Sequence, residues 1–98
     1  MWIHLISNYS IWLNVLQNAK RFDVEIKSST RKHKKLDVYK DGKYICSIGD
    51  SRYNDYHSYK KIDKELAEQR REVYYRRHHK DLSKPLSPGF YAWYILWN

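Results

Sequence analysis

The feature that most restricts the fold of this chain is its closing run, Phe90-Tyr91-Ala92-Trp93-Tyr94-Ile95-Leu96-Trp97, which carries no charged side chain. A helix that is apolar all round has to be covered on several sides. The segment therefore either plugs the domain or forms an interface with another chain. Ser83-Lys84-Pro85-Leu86-Ser87-Pro88-Gly89 just before it is a break. Within that break, Ser87 and Pro88 make a helix start, the proline standing where no N–H is needed.

The 98 residues are enough for one domain, 1–98, with a thin margin of stability. Residues 1–20 read as an amphipathic helix, because Trp2, Leu5, Ile6, Tyr9, Leu13 and Leu16 recur at spacings of three and four. His4, Ser7, Asn8, Ser10 and Asn14 make this stretch too polar to cross a bilayer, and it lacks the basic start of a secretory signal. Residues 21–49 read as a three-stranded β-meander. Phe22, Val24 and Ile26 alternate with polar residues, Leu36-Asp37-Val38-Tyr39 resumes the alternation, and Asp41-Gly42 signals a tight hairpin turn before Tyr44–Ile48. A basic helix is expected over 58–80, with Ser58 as its N-cap and Ile62, Leu66 and Val73 as its apolar face. The aromatic C-terminal helix occupies 87–98. The expected fold is α+β: a three-stranded antiparallel sheet packed against a long helix, with short N- and C-terminal aromatic helices.

Charge sets the expected partners. Lys and Arg number 19 against 11 Asp and Glu, a formal net charge of +8, beside 10 Tyr and 4 Trp. So many rings argue against disorder, and so much positive charge predicts an acidic partner, a capsid protein or nucleic acid. The expected anion-binding residues are Arg31, Lys32, Lys34, Lys35 and Lys40 on the sheet side, and Lys60, Lys64, Arg70, Arg71, Arg76 and Arg77 on the helix. Tyr39, Tyr53, Tyr56, Tyr74 and Tyr75 are interleaved with them and can stack or bond phosphate. Against this stands a solvated surface with a net bias, since Asp63, Glu65, Glu68 and Glu72 dilute the charge of the helix. Trp2, Trp12, Trp93 and Trp97 are the expected protein contacts, and the aromatic terminal helices offer surfaces for an oligomer.

Chemistry is thinly represented. His57, His78, His79 and Cys46 lack the paired spacing of structural zinc, so no metal site is assigned. Cys46 sits mid-strand among apolar residues, which suits an inert thiol. As the only cysteine it forms no internal disulfide, which fits a reducing compartment. Asp50 and Asp55 read as backbone caps of the connector, and with His57 they would serve a nuclease only around a bound metal. Neither a catalytic residue nor a cofactor is expected.

Three stretches carry a family resemblance. They are Lys35–Tyr39 leading to Gly49-Asp50-Ser51-Arg52-Tyr53-Asn54-Asp55-Tyr56, then Arg70-Arg71 with Tyr75-Arg76-Arg77-His78, then Ser87-Pro88-Gly89-Phe90 running to Ile95-Leu96-Trp97-Asn98. Together they resemble a family of short, uncharacterised proteins encoded by large DNA viruses of eukaryotes and by some phages. The resemblance spans roughly residues 30 to 98 and leaves the first segment outside it. It implies a viral source and a virion or genome-associated role, in the virion or in host cytoplasm or nucleus, with no catalytic residue to carry over. The expected function is thus a non-enzymatic basic interaction module, either a minor structural protein of a virus particle or a sequence-independent DNA- or RNA-binding protein.

Overall fold

The computed structural model describes the backbone of residues 2–4 and 10–12 and the whole of residues 13–98. Its elements run β1 (Trp2–His4), β2 (Ser10–Trp12), α1 (Leu13–Arg21), β3 (Glu25–Ser28), β4 (Lys34–Lys40), β5 (Lys43–Asp50), α2 (Tyr56–Ile62), α3 (Lys64–His78) and α4 (Pro88–Tyr91). A 3-10 turn, His79–Ser83, follows α3, and a π-helical turn, Ala92–Leu96, continues α4. The fold is α+β with a three-stranded antiparallel sheet, as its patterning predicts.

The N-terminal expectation is corrected. Helix occupies only Leu13–Arg21, whereas Trp2–His4 and Ser10–Trp12 pair as antiparallel strands in the register Trp2↔Trp12 and Ile3↔Ile11. Trp and Ile favour extended backbone, and facing pairs of them satisfy a ladder as readily as a helix face. Within α1 the buried face is Val15, Asn18 and Ala19, whereas Leu13 of the expected apolar face is exposed and Leu16 half-buried. The helix ends on Asp23 in the left-handed region (φ 55°), and Val24 N–H donates to Ala19 O at 3.2 Å.

The meander is local chemistry made visible. Strands β3, β4 and β5 pair in chain order, and Asp41 (φ 51°) and Gly42 (φ 79°) form a two-residue turn closed by the Lys40↔Lys43 pair. Positive φ at both central residues matches the twist of the flanking strands. Ile26, Leu36, Val38, Cys46 and Ile48 are buried in one core together with Val15 and Ala19 of α1 and with Tyr91–Trp97 apart from half-buried Tyr94. The closing segment therefore plugs the domain. Ser87 caps it as expected, its Oγ accepting from Phe90 N–H at 3.2 Å, with Pro88 in the first turn.

The long basic helix is corrected in three respects. It starts at Tyr56, and its N-cap is Asp55 rather than Ser58: Asp55 Oδ1 accepts from Ser58 N–H at 3.2 Å and Ser58 Oγ at 3.1 Å. It is broken at Asp63, whose extended backbone (φ −159°) ends α2 and starts α3. The short carboxylate accepts from Glu65 N–H at 2.9 Å and Leu66 N–H at 3.4 Å, so it caps a new helix better than it continues the old one. Finally, Ile62 is 68 % exposed and Val73 is exposed as well. The helix instead buries Ala67 and leans Tyr74 on the rings of Trp97 (4.5 Å, 15°) and Trp93 (6.2 Å, 9°). An aromatic stack contributes about 0.5–1.5 kcal/mol beyond its buried area, which favours the Tyr74 side over the valine side.

One buried ion pair joins the sheet to the helices. Lys35 of β4 is 4 % exposed and Asp55 is 1 % exposed, with Lys35 Nζ donating to Asp55 Oδ2 at 3.2 Å. Removing one member of such a pair strands the other charge and costs about 3–5 kcal/mol. Asp55 also caps α2, which adds about 1 kcal/mol. Asp55→Ala is therefore expected to destabilise the fold more than Lys35→Met, which keeps the cap; denaturant titration of both variants gives the order.

Candidate nucleic-acid interface

A cleft of about 610 Å³ opens between the sheet end of β4–β5, the connector 51–55 and one side of α3. Lys34 and Asp50 stand on the sheet side, Tyr53 on the connector, and Arg70, Tyr74 and Arg77 on the helix. Positions 70, 74 and 77 share one helical face, which is how α3 aims two guanidiniums and a ring into the same space. Leu96 and Trp97 of the plugging segment line it from the core side.

The shape of this cleft depends on Gly49. Its backbone is left-handed (φ 75°), and a Cβ there would lie 2.8 Å from Leu96 Cδ1 and 3.0 Å from Lys35 Cδ. Only glycine lets the strand end pass this close to the core and then release the connector. The connector itself is tied down: Ser51 N–H donates to His33 O and Tyr53 N–H to Asp50 O, both at 3.1 Å.

The charge balance of the cleft is one-sided. Both carboxylates lining it are answered by their own cations. Asp50 is held bidentate by Arg52, at 3.0 Å from Nε and 2.7 Å from Nη2, and these bonds hold its carboxyl far below the usual carboxylate range. Asp55 is held by Lys35. By contrast, among the described residues Lys34, Arg70 and Arg77 form no ion pair, and all three side chains are exposed. Every Asp and Glu of the chain falls within residues 13–98. The cleft therefore presents three cations that form no ion pair with an acid of this chain. Arg70 also lies 5.7 Å over the Tyr59 ring.

The acidic residues that dilute the charge of α3 in sequence are segregated in space. Glu65, Glu68 and Glu72 line a separate depression of about 530 Å³ with Tyr75 and Trp93. There Glu72 pairs with Arg76 at 2.6 Å, and Tyr56 OH donates to Glu68. Dilution of charge along the sequence is thus no dilution on the basic side of the helix.

Of the eleven expected cations, the structure brings Lys34, Arg70 and Arg77 together and sets Lys35 behind them as a structural group. The rest are dispersed. Arg31 lies 4.2 Å over the Tyr44 ring and 3.8 Å from Asp37, Lys32 is exposed on the turn before β4, and Lys40 sits 3.7 Å from Asp23. Lys60 lies 5.3 Å over Tyr56, Lys64 is exposed at the start of α3, and Arg76 pairs with Glu72. Arg71 turns away from the cleft. Its Nε donates to Trp97 O and its Nη2 to Asn98 Oδ1, both at 2.7 Å, and its guanidinium lies 4.7 Å from the Trp93 ring, so it fastens the core.

The expected protein contacts divide in the same way. Trp93 and Trp97 are 8 % and 9 % exposed and belong to the core, while the side chains of Trp2 and Trp12 lie outside the described residues. Asn54, Tyr59, Val73 and His78 also line the cleft, and none of them is among the expected anion-binding residues. The spacing of Tyr74 and His78, which pack ring on ring at 4.4 Å, is the signal that would have marked this side of α3.

Two titratable groups lie elsewhere in the core. Among the described residues no three His, Cys, Asp or Glu side chains gather as a metal-binding group, and no helix is long and apolar enough to cross a membrane. Cys46 is buried, and burial, helped by Asp37, pushes its thiol up to about 11. His57 is buried too, and its Nε2 lies 2.7 Å from Asn98 O, so the ring donates there. Burial holds its pKa below the ordinary value, outweighing the Asn98 bond and the Asp55 charge, which favour the charged form. Set against protein-family models, curated proteins and solved structures, the chain matches none.

Both groups give checks. A thiol reagent at about pH 8 is expected to spare Cys46 in the native protein and to label it on denaturation. The depressed histidine makes stability fully present above the unfolded value of about 6.5 and lost as pH falls through the folded value, because the unfolded chain takes the proton first. Denaturation midpoints measured between about pH 7.5 and 5 should therefore fall more steeply for the native chain than for His57→Gln.

Proposed function

We propose that this chain is a sequence-independent nucleic-acid-binding module and that the cleft beside α3 is its contact surface. The observation that carries this reading is the charge balance. Lys34, Arg70 and Arg77 converge without an acidic partner, while Asp50 and Asp55 in the same cleft are each held by a cation of their own. Such a site attracts a chain of phosphates, and side chains that contact phosphate position the ligand without reading its sequence. Tyr53 and Tyr59 line the same cleft and supply ring faces beside the cations. No enzymatic step is part of this reading.

The resemblance of roughly residues 30–98 to viral proteins agrees with a genome-associated role in a virion or in host cytoplasm or nucleus. The alternative, a minor virion protein held by apolar contacts, has less behind it. Two of its four tryptophans, Trp93 and Trp97, are used inside the core. It keeps Trp2 and Trp12 as its candidate contacts.

Binding of a labelled mixed-sequence oligonucleotide, offered as single strand and as duplex across a salt series, tests the proposal. With three phosphate contacts the logarithm of affinity should fall with the logarithm of salt with a slope of about −2 to −3. Lys34→Gln, Arg70→Gln and Arg77→Gln should each weaken binding and flatten the slope by about 0.7–0.9. Lys40→Gln and Arg76→Gln, whose cations already face Asp23 and Glu72, should leave it nearly unchanged. No binding of either form near physiological salt would overturn the proposal.

A further inference from the structure

We infer that the cleft selects single-stranded over duplex nucleic acid, with one base lying on the ring of Tyr53 while the flanking phosphates meet Lys34, Arg70 and Arg77. This rests on the nucleic-acid reading of the same cleft and adds to it the form of the ligand and the residue that selects it.

Shape is the first reason. Reading a duplex requires a protruding helix or ribbon that enters a groove about 12 Å wide, or a surface that follows phosphates around a cylinder. Here three cations without an ion pair line a recess of about 610 Å³, with ring faces along it. A single strand can lay its backbone into such a recess and splay a base against a wall. A duplex keeps its bases paired inside and cannot enter. Among the cations on outward surfaces, Arg31, Lys40, Arg52 and Arg76 are paired with Asp37, Asp23, Asp50 and Glu72, and the exposed Lys32, Lys43 and Lys64 stand outside the recess lining.

Tyr53 is the second reason. It is 66 % exposed, and among the described residues its ring packs on no other ring and has the Arg52 guanidinium 5.9 Å away. The other exposed tyrosines have structural work: Tyr44 bonds Ser47 at 2.8 Å, and Tyr75 packs 5.3 Å from Trp93. Yet Tyr53 does not sit on a loose tip. Its own N–H is bonded to Asp50 O, Arg52 before it is clamped to Asp50, and Asp55 two residues on is buried against Lys35. An exposed ring on a backbone held from both sides is a preorganised stacking platform, since little freedom remains to be lost when a base covers it.

The test uses the full chain and three probes: an oligothymidylate of about 12 nucleotides, a duplex of the same length, and an abasic phosphodiester strand carrying the same charges without bases. At one salt concentration the native chain should bind the oligothymidylate at least about tenfold more tightly than the duplex or the abasic strand. Tyr53→Ala should weaken oligothymidylate binding by about 5- to 150-fold, leave the abasic strand unaffected and leave the salt slope unchanged. Tyr53→Phe should bind as the native chain does, and melting curves should show both variants folded. Arg77→Gln should weaken all three probes together. Equal affinity for the three probes with no effect of Tyr53→Ala would overturn this inference and leave a phosphate-binding cleft standing. Failure of all three probes would instead overturn the nucleic-acid reading beneath it.

Discussion

The burial of Tyr91–Trp97 is the constraint on which the other elements depend. A segment this apolar cannot remain at the surface of so small and so charged a chain, and once it is inside, its main-chain oxygens need donors. Three helices supply them. Asn18 of α1 donates to Ile95 O and Asn98 O, at 3.2 and 2.9 Å. His57 of α2 bonds Asn98 O, and Arg71 of α3 bonds Trp97 O. Polar side chains far apart in sequence thus meet at one end of the plug, and among the described residues no buried side-chain nitrogen or oxygen lacks a hydrogen-bond partner. A polar network satisfied to this degree specifies one arrangement of helices around the core rather than several.

The cleft follows from that arrangement. With Tyr74 stacked on Trp97 and Arg71 spent on the plug, the rotation of α3 about its axis is decided. Arg70 and Arg77 must then face the sheet end of the domain, and Glu65, Glu68 and Glu72 must face away from it. On the opposite wall, the left-handed Gly49 brings the end of β5 against Leu96, and the Lys35–Asp55 pair draws the connector down onto the sheet. Tyr53 is left standing between two fixed points. The candidate site is therefore a consequence of packing, with its cations aimed by contacts that lie outside it.

What was legible in the sequence was local. Asp41-Gly42 can adopt few conformations other than the turn it makes, Ser87-Pro88 is a helix start wherever it occurs, and the alternation around Ile26, Leu36 and Val38 reports its own strands, although Phe22 and Val24, which share it, lie before β3. Where two local rules competed, the reading failed. Trp2 fits a helical three-and-four spacing while Trp and Ile at positions 2, 3, 11 and 12 favour strand, and Asp63 is tolerable inside a helix but better as a cap. Lys35 and Arg71 were illegible for another reason. A cation in a basic stretch looks solvated until the acceptor that removes it from solvent is known, and those acceptors, Asp55 and Trp97 O, lie 20 and 26 residues away.

Net charge is accordingly a poor guide to where this chain meets an anion. The value of +8 is an average over cations that are buried, paired with acids, laid over rings or open to solvent. An isolated surface cation in water interacts weakly with a phosphate and is screened within about 10 Å at moderate salt. Several cations converging on one recess, with no acid of their own to answer them, act on the same short length of ligand at once, and the partly enclosed walls screen them less. Three such side chains in the cleft beside α3 therefore outweigh the larger number scattered over the rest of the surface, and they do so next to Tyr53, which among the described residues is the exposed tyrosine with no structural partner beyond its neighbouring arginine.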